Sequence, residues 1–258
     1  MELNLNNKNI LITGGSKGIG FACARLFLAE GAKVALVSRS QTHLDLAQQQ
    51  LGDVYTRAAD LSNADAAAAV VADVEARFGA IDVLVNSAGA AQRHVPEELS
   101  PPLWRAAMDA KYFTYINVID PLIKLMAARG RGVIVNVIGT GGKVPSPVHL
   151  PGGAANAALM LATTGLANAY AGKGVRVVGV NPGFTKTERI AEGLKAEAKR
   201  SGINEDEALQ RMTASLPLGR PADPEEIASI VVFAASERGR FLTGANITSD
   251  GAATPSVV

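Results

Sequence analysis

The residues of this chain spaced for chemistry begin with glycines. Gly14, Gly15, Gly18 and Gly20 interrupt one short stretch, with Ser16, Lys17 and Ile19 between them, and the apolar run Ile10-Leu11-Ile12 leads into it. Glycines let backbone N–H groups close on an anion with no Cβ in the way, and a helix starting near Gly18 aims its positive end at the same charge. The implied chemistry is the grip on a pyrophosphate, hence on a nucleotide. About twenty residues after such a turn, dinucleotide-binding units read the adenosine ribose at the end of their second strand, and here that place holds Ser38-Arg39. An acid there would accept the 2′-hydroxyl of NAD and repel a 2′-phosphate. A guanidinium, with Lys17 inside the glycine loop, suits NADP(H) and makes NAD(H) the poorer fit.

These groups need a frame, and the pattern of the chain supplies one. A helix over 21–30 stops at Gly31, a short apolar strand covers 33–37, and a second helix covers 42–51. This is a βαβ unit with parallel strands. The alternation continues with strands at 54–58 and 81–85, a helix over 64–78, a longer helix from about 103 to 128, and a strongly apolar strand at 132–138. A helix over 154–170 and a strand at 175–180 follow. Residues 187–216 turn polar and charged, with helical stretches broken at Gly202, and read as an insertion outside the sheet. Pro224 opens a further helix to about 236, and 246–248 form a last strand. Repeated alternation with near-continuous apolar strands predicts an α/β domain spanning 1–258, a parallel sheet with helices on both faces.

Bulk properties narrow the partners. The 258 residues are 48% hydrophobic and 19% charged with a net charge of +1, which argues against a general nucleic-acid or acidic-membrane surface and for a small molecule. Cys23 is the single cysteine, so an intrachain disulfide and a cysteine-based metal cluster are excluded, and a reducing, cytoplasmic setting is expected. Residues 1–6 lack a secretion-signal pattern, and no apolar run reaches the roughly 18 residues a membrane helix needs. No metal site is expected.

With these residues placed, the sequence resembles the short-chain dehydrogenase/reductase family along nearly its whole length. The 13–20 stretch is similar to the family's cofactor loop, Asp60-Leu61 to its adenine contact, and Asn86-Ser87-Ala88-Gly89 to its Asn-Asn-Ala-Gly motif with one change. Asn181-Pro182-Gly183 with Thr185 and Thr187 resembles the segment facing the nicotinamide carboxamide. Leu218-Gly219-Arg220-Pro221, Pro224 to Ala228, Leu242-Thr243-Gly244 and Asp250-Gly251 resemble its C-terminal third. The resemblance implies a Rossmann-type, doubly wound fold with about seven parallel strands, a homodimer or homotetramer, and hydride transfer between NAD(P) and an alcohol or carbonyl. It also implies a catalytic asparagine, serine, tyrosine and lysine.

This chain departs at each of those places. Gly152 stands at the tyrosine position, Asn156 at the lysine position, Gly139 at the serine position and Lys111 at the asparagine position. Without an acid at the carbonyl oxygen a reduction loses typically 10²–10⁴ in rate. Three residues are candidates to fill the gap. Lys111, an amine pointing toward the vacated pocket, could have its pKa lowered by burial, or could simply fill and pair in the space. His149, on the 147–151 loop, titrates in the useful range, or stands exposed and idle. Asn156 could replace one hydrogen bond to the nicotinamide ribose. Tyr112 and Tyr115 read as structural aromatics, and Thr140 could at most orient a carbonyl. The charges of 187–216, which resembles the family's substrate lid, read as a solvated face. Two functions follow: a divergent NADP(H)-dependent oxidoreductase with a non-standard catalytic site, or an NADP(H)-binding protein without turnover, acting as sensor, partner or scaffold.

Overall fold

The computed structural model describes residues 2–89 and 91–255. Seven strands, β1 (Asn9–Thr13), β2 (Lys33–Ser38), β3 (Tyr55–Ala58), β4 (Val83–Asn86), β5 (Gly132–Val137), β6 (Val175–Pro182) and β7 (Asn246–Ser249), form one parallel sheet in the order β3-β2-β1-β4-β5-β6-β7. The helices are α1 (Gly18–Ala29), α2 (Gln41–Leu51), α3 (Ala64–Phe78), α4 (Pro101–Ala107), α5 (Thr114–Arg129), α6 (Leu150–Ala171), α7 (Ile190–Ser201), α8 (Glu205–Ala214) and α9 (Pro224–Ala235). The expected doubly wound architecture is present.

Strand alternation sorts the core. Ile10, Ile12, Val34, Leu36, Val83, Val85, Val135, Val178 and Val180 face one side, where Phe27 of α1, Leu44 of α2 and Ile227 and Val231 of α9 cover them. Leu11, Ala35, Val37, Leu84, Ile134, Val175 and Val177 face the other, under Val70 and Val74 of α3, Leu122 of α5 and Leu159 of α6. Local sequence starts and stops these helices: Ser40 caps α2 by accepting from the His43 N–H, Asn63 caps α3 by accepting from Ala66, and left-handed Gly130 and Gly202 end α5 and α7.

A polar ladder crosses the second face near the C-terminal ends of the strands. Thr13 Oγ1 donates to Asn86 Oδ1 (3.2 Å), Asn86 Nδ2 to Asn136 Oδ1 (3.0 Å), and Asn136 Nδ2 to Thr163 Oγ1 of α6 (3.0 Å). All four residues are buried.

Two helices differ from expectation. The segment read as one helix over 103–128 is α4 and α5 joined by a π-helical turn, Met108–Phe113, and α5 passes through Pro121. At the end of that turn Thr114 Oγ1, in the first residue of α5, donates back to Asp109 O (2.9 Å). The next helix starts at Leu150 rather than 154, with Pro151 in its first turn and Gly152 and Gly153 inside it. The 187–216 segment forms α7 and α8 around a small core of Leu194, Ala198 and Ala208. No described helix is long and apolar enough to cross a membrane.

Candidate functional site

In doubly wound sheets a ligand lies beyond the C-terminal strand ends where the strand order reverses, and here that point falls between β1 and β4. The turns after these strands meet there. Gly14, at φ +67°, backs onto the 87–88 turn so closely that a Cβ would stand 2.7 Å from Ala88 N. A Cβ on Gly20 would stand 2.3 Å from Gly14 O. Gly14 N donates to Val37 O (2.7 Å), which ties the turn to β2. Helix α1 has no side-chain cap and no acid in its first turn, so its leading N–H groups and positive end stay available to an anion. Ser16 lies partly buried in this cradle, and partly buried Ile19 packs toward the core below it.

The adenosine end is open. Exposed Arg39 follows partly buried Ser38 at the tip of β2. The Asp60 carboxylate accepts from Ser62 N (3.0 Å) and Ser62 Oγ (2.8 Å), and these bonds, with the Arg39 charge nearby, hold it below the usual carboxylate range; Leu61 beside it is buried. Lys17 is otherwise engaged: its Nζ pairs with Glu188 at 2.7 Å, across the mouth of the cleft. Thr187 lies against Gly18, with Cγ2 3.2 Å from where a Cβ would be. The Asn86 side chain is turned inward into the polar ladder, bonded to Thr13 and Asn136. Thr13 Oγ1 accepts from both Ser87 N and Ala88 N.

On the opposite lip, Pro182 ends β6, the following Gly183 donates from its N to Ser249 O (3.0 Å), and buried Thr185 donates to Gly183 O (3.2 Å). Buried Asn181 leaves both amide atoms without a partner among the described residues.

Two of the four divergent positions, Gly139 and Asn156, lie side by side. A Cβ on Gly139 would stand 3.2 Å from Asn156 Nδ2, and one on Gly141 would stand 3.6 Å from both Asn156 Nδ2 and His149 Cδ2. Gly139 sits at φ +128°, a backbone conformation that a serine adopts only under strain. Asn156 is buried, and its amide makes no hydrogen bond among the described residues.

His149 is half-buried rather than exposed. The Pro147–His149 turn and the early start of α6 fold the imidazole over Gly152, with Cε1 2.0 Å and Nε2 2.3 Å from where a Cβ would be. The ring takes the room a side chain at 152 would use. Burial, and then the charges of Arg93, Arg189 and Lys111, push its pKa down to about 4, so it is neutral at physiological pH, and its Nδ1 is buried without a partner among the described residues.

Lys111, in the π-helical turn, is buried and pairs with no carboxylate among the described residues. Its Nζ donates to Tyr115 Oη (2.8 Å) and Val137 O (3.0 Å), while Tyr115 Oη donates to Val137 O (2.5 Å). Its stem runs beneath Gly89, where a Cβ would stand 2.9 Å from Cδ. Burial, with the Arg189 charge adding to it, lowers its pKa to about 7. Tyr115 is therefore more than a packing aromatic: its hydroxyl seats the amine.

Two cations at this end went unmarked in the sequence. Arg189 belongs to the lid charges read as a solvated face, yet it donates to Gly89 O (2.9 Å) and Ala91 O (3.5 Å). Arg93 follows no motif at all, and only its fold neighbours reveal it. The described residues contain no group of three or more His, Cys, Asp or Glu able to hold a metal.

Comparison with known proteins agrees with this geometry. A family model described as short chain dehydrogenase matches residues 8–198. The chain is 31% identical to a 3alpha-hydroxysteroid dehydrogenase of Mediterraneibacter gnavus, covering 98% of this chain and 99% of that one. It is 33% identical to a galactitol 2-dehydrogenase of Cereibacter sphaeroides, covering 94% and 93%. Among solved structures, an actinorhodin polyketide ketoreductase variant with NADPH superposes with a TM-score of 0.93 at 28% identity, over 98% of this chain and 99% of that one. The L-sorbose reductase of Gluconobacter frateurii, complexed with NADPH and L-sorbose, gives 0.90 at 30% identity over 100% of both chains.

Proposed function

The chain belongs to the short-chain dehydrogenase/reductase family, and from that premise we propose an NADP(H)-dependent oxidoreductase that interconverts an alcohol and a carbonyl compound, with His149 replacing the missing tyrosine. The observation that carries this reading is the imidazole seated over Gly152. The glycine cradle and uncapped α1 fit a pyrophosphate, and Ser38 and Arg39 suit a 2′-phosphate. When bound, the nicotinamide supplies the hydride donor or acceptor.

The chain's own groups handle the proton. A neutral imidazole accepts the hydroxyl proton as an alcohol is oxidised, and the resulting imidazolium returns it to the oxygen in the reverse direction. Asn156, whose amide is unengaged, hydrogen-bonds a ribose hydroxyl where the family's lysine would. Lys111 adds positive charge behind the site and, held by Tyr115 and Val137, fixes the π-helical turn against Gly89. A homodimer or homotetramer and a cytoplasmic location accompany the reading; exposed Trp104, Phe113 and Leu125 lie along the α4–α5 segment for such an interface.

A second reading, nucleotide binding without turnover, is favoured by the backbone at Gly139, which keeps the family's serine out. NADPH and NADH titrations followed by fluorescence, with carbonyl and alcohol panels scored for cofactor turnover, separate the two. His149→Gln should cut turnover roughly 10²–10⁴-fold while NADPH binding survives. Tight NADPH binding with no turnover on any panel member would leave the second reading. A preference for NADH that persists in Arg39→Ala would remove the cofactor assignment.

A further inference from the structure

Four basic side chains from separate segments converge at the substrate end of the cleft. The 91–95 loop is tied to the histidine turn by His94 N donating to Val148 O (3.1 Å). From that loop the Arg93 guanidinium lies flat on α7, where Gly193 makes room for it: a Cβ there would stand 3.3 Å from Nε and 3.5 Å from Cζ. Arg189, one residue before α7, holds the Gly89 and Ala91 carbonyls from the other side. His149 lies over Gly152 and Lys111 beneath Gly89.

Their charge is not balanced. Arg93 makes no hydrogen bond or ion pair among the described residues, and Glu192 is the one acid whose charge bears on it. Only cations act on His149 and Lys111. Three cations elsewhere meet an acid directly, in Arg129–Glu75, Arg25–Glu225 and Arg220–Glu226. Arg93 is exposed at the rim while His149 and Lys111 are desolvated behind it, so the positive charge of Arg93 and Arg189 faces a site that holds no acid of its own among the described residues and suits an anion. A structural purpose does not account for Arg93, which braces nothing by hydrogen bonds.

We infer that the substrate carries an anionic group, a carboxylate or phosphate ester, held by Arg93 and Arg189 between the 91–95 loop and α7, with its carbonyl or hydroxyl at the His149 imidazole. This rests on the oxidoreductase reading above. A planar guanidinium fork matches both anions, and Arg93 has its donors free for one.

Matched ketones test it. Calorimetric titration of the full chain, with and without NADPH, would compare 4-oxopentanoate with 4-oxopentanamide, and dihydroxyacetone phosphate with dihydroxyacetone; acetate and inorganic phosphate serve as anions without a ketone. In at least one pair the charged member should bind at least about tenfold tighter than its neutral twin, and the pair that responds tells carboxylate from phosphate. Arg93→Gln should bring the ratio to within about twofold with no change in melting temperature. Four results would overturn the inference: a ratio near one in both pairs, no binding of either charged ketone, a ratio unchanged in Arg93→Gln, or acetate and phosphate binding as tightly as the ketone anions. NADPH oxidation, recorded in parallel, separates this from the parent reading. Oxidation by ketones with no charge discrimination keeps the reductase and removes the anion site; Arg93-dependent binding with no oxidation in any arm keeps the site and removes the hydride transfer.

Discussion

A side chain at position 152 must evict the imidazole, and this gives a prediction whose sign changes with the background. In Gly152→Ala the new Cβ would stand 2.0 Å from His149 Cε1, a distance no packed pair tolerates. The ring must leave its buried seat, and overfilling of this kind typically costs 1–3 kcal/mol. Against that, replacing glycine by alanine inside a helix gains roughly 0.5–1 kcal/mol through lower chain entropy. The net expectation is a loss of about 1–2 kcal/mol. With His149→Ala already in place the three closest contacts to the new Cβ are gone, and the same Gly152→Ala change should stabilise by up to about 1 kcal/mol. Urea unfolding of the four proteins of this double-mutant cycle measures the coupling directly, with about 1–3 kcal/mol expected. A coupling below about 0.5 kcal/mol, the ordinary additivity of independent sites, would show that the imidazole does not lie over Gly152. The substitution of histidine for the family's tyrosine would fall with it.

Other perturbations address separate groups. The His149 pKa lies near 4, below its ordinary 6.5, so the unfolded chain binds more protons between those values and stability falls as pH drops from 6.5 to 4, by up to about 3 kcal/mol. His149→Gln should flatten that part of a stability-versus-pH curve measured by chemical unfolding. Lys111 is lowered from 10.5 to about 7, so the wild type should gain stability relative to Lys111→Met as pH rises from 7 toward 10, at about 1 kcal/mol per pH unit; parallel curves would mean the amine is solvated. Glu188→Ala frees Lys17 from its 2.7 Å partner at the glycine loop. NADPH affinity, read by fluorescence titration, should rise roughly two- to threefold at low salt and converge with wild type at high salt.

Much of the frame was legible because its signals are local. Gly14, Gly18 and Gly20 mark a turn that no other residue can make, and the helix over 64–78 was placed to the residue because Asn63 caps it and Gly79 closes it. The π-helical turn was not legible, since Met108–Phe113 carries neither proline nor glycine to announce it, and Pro121, which reads as a breaker, sits within a continuous helix. The start of α6 was hidden by Gly152 and Gly153, weak helix formers whose smallness is a packing requirement set by His149 and by Gly141 O. The catalytic positions could be located by alignment, but what fills them could not. The seat of His149 depends on a turn flanked by Pro147 and Pro151, and Arg93 matters only because the chain returns at Gly193, far away in sequence.

The polar ladder across the sheet acts as a proofreader of assembly. Each rung comes from a different element (Thr13 from β1, Asn86 from β4, Asn136 from β5, Thr163 from α6), and each amide is satisfied only by its neighbour's. Because side chains alternate faces along a strand, sliding any one strand by a single residue turns its rung to the opposite face and strands buried polar groups on either side. A core of interchangeable valines and isoleucines would accept several alignments at similar cost. The ladder accepts one, and in that alignment the glycine turn after β1 and the helix carrying Gly152 and Asn156 face each other across the same cleft.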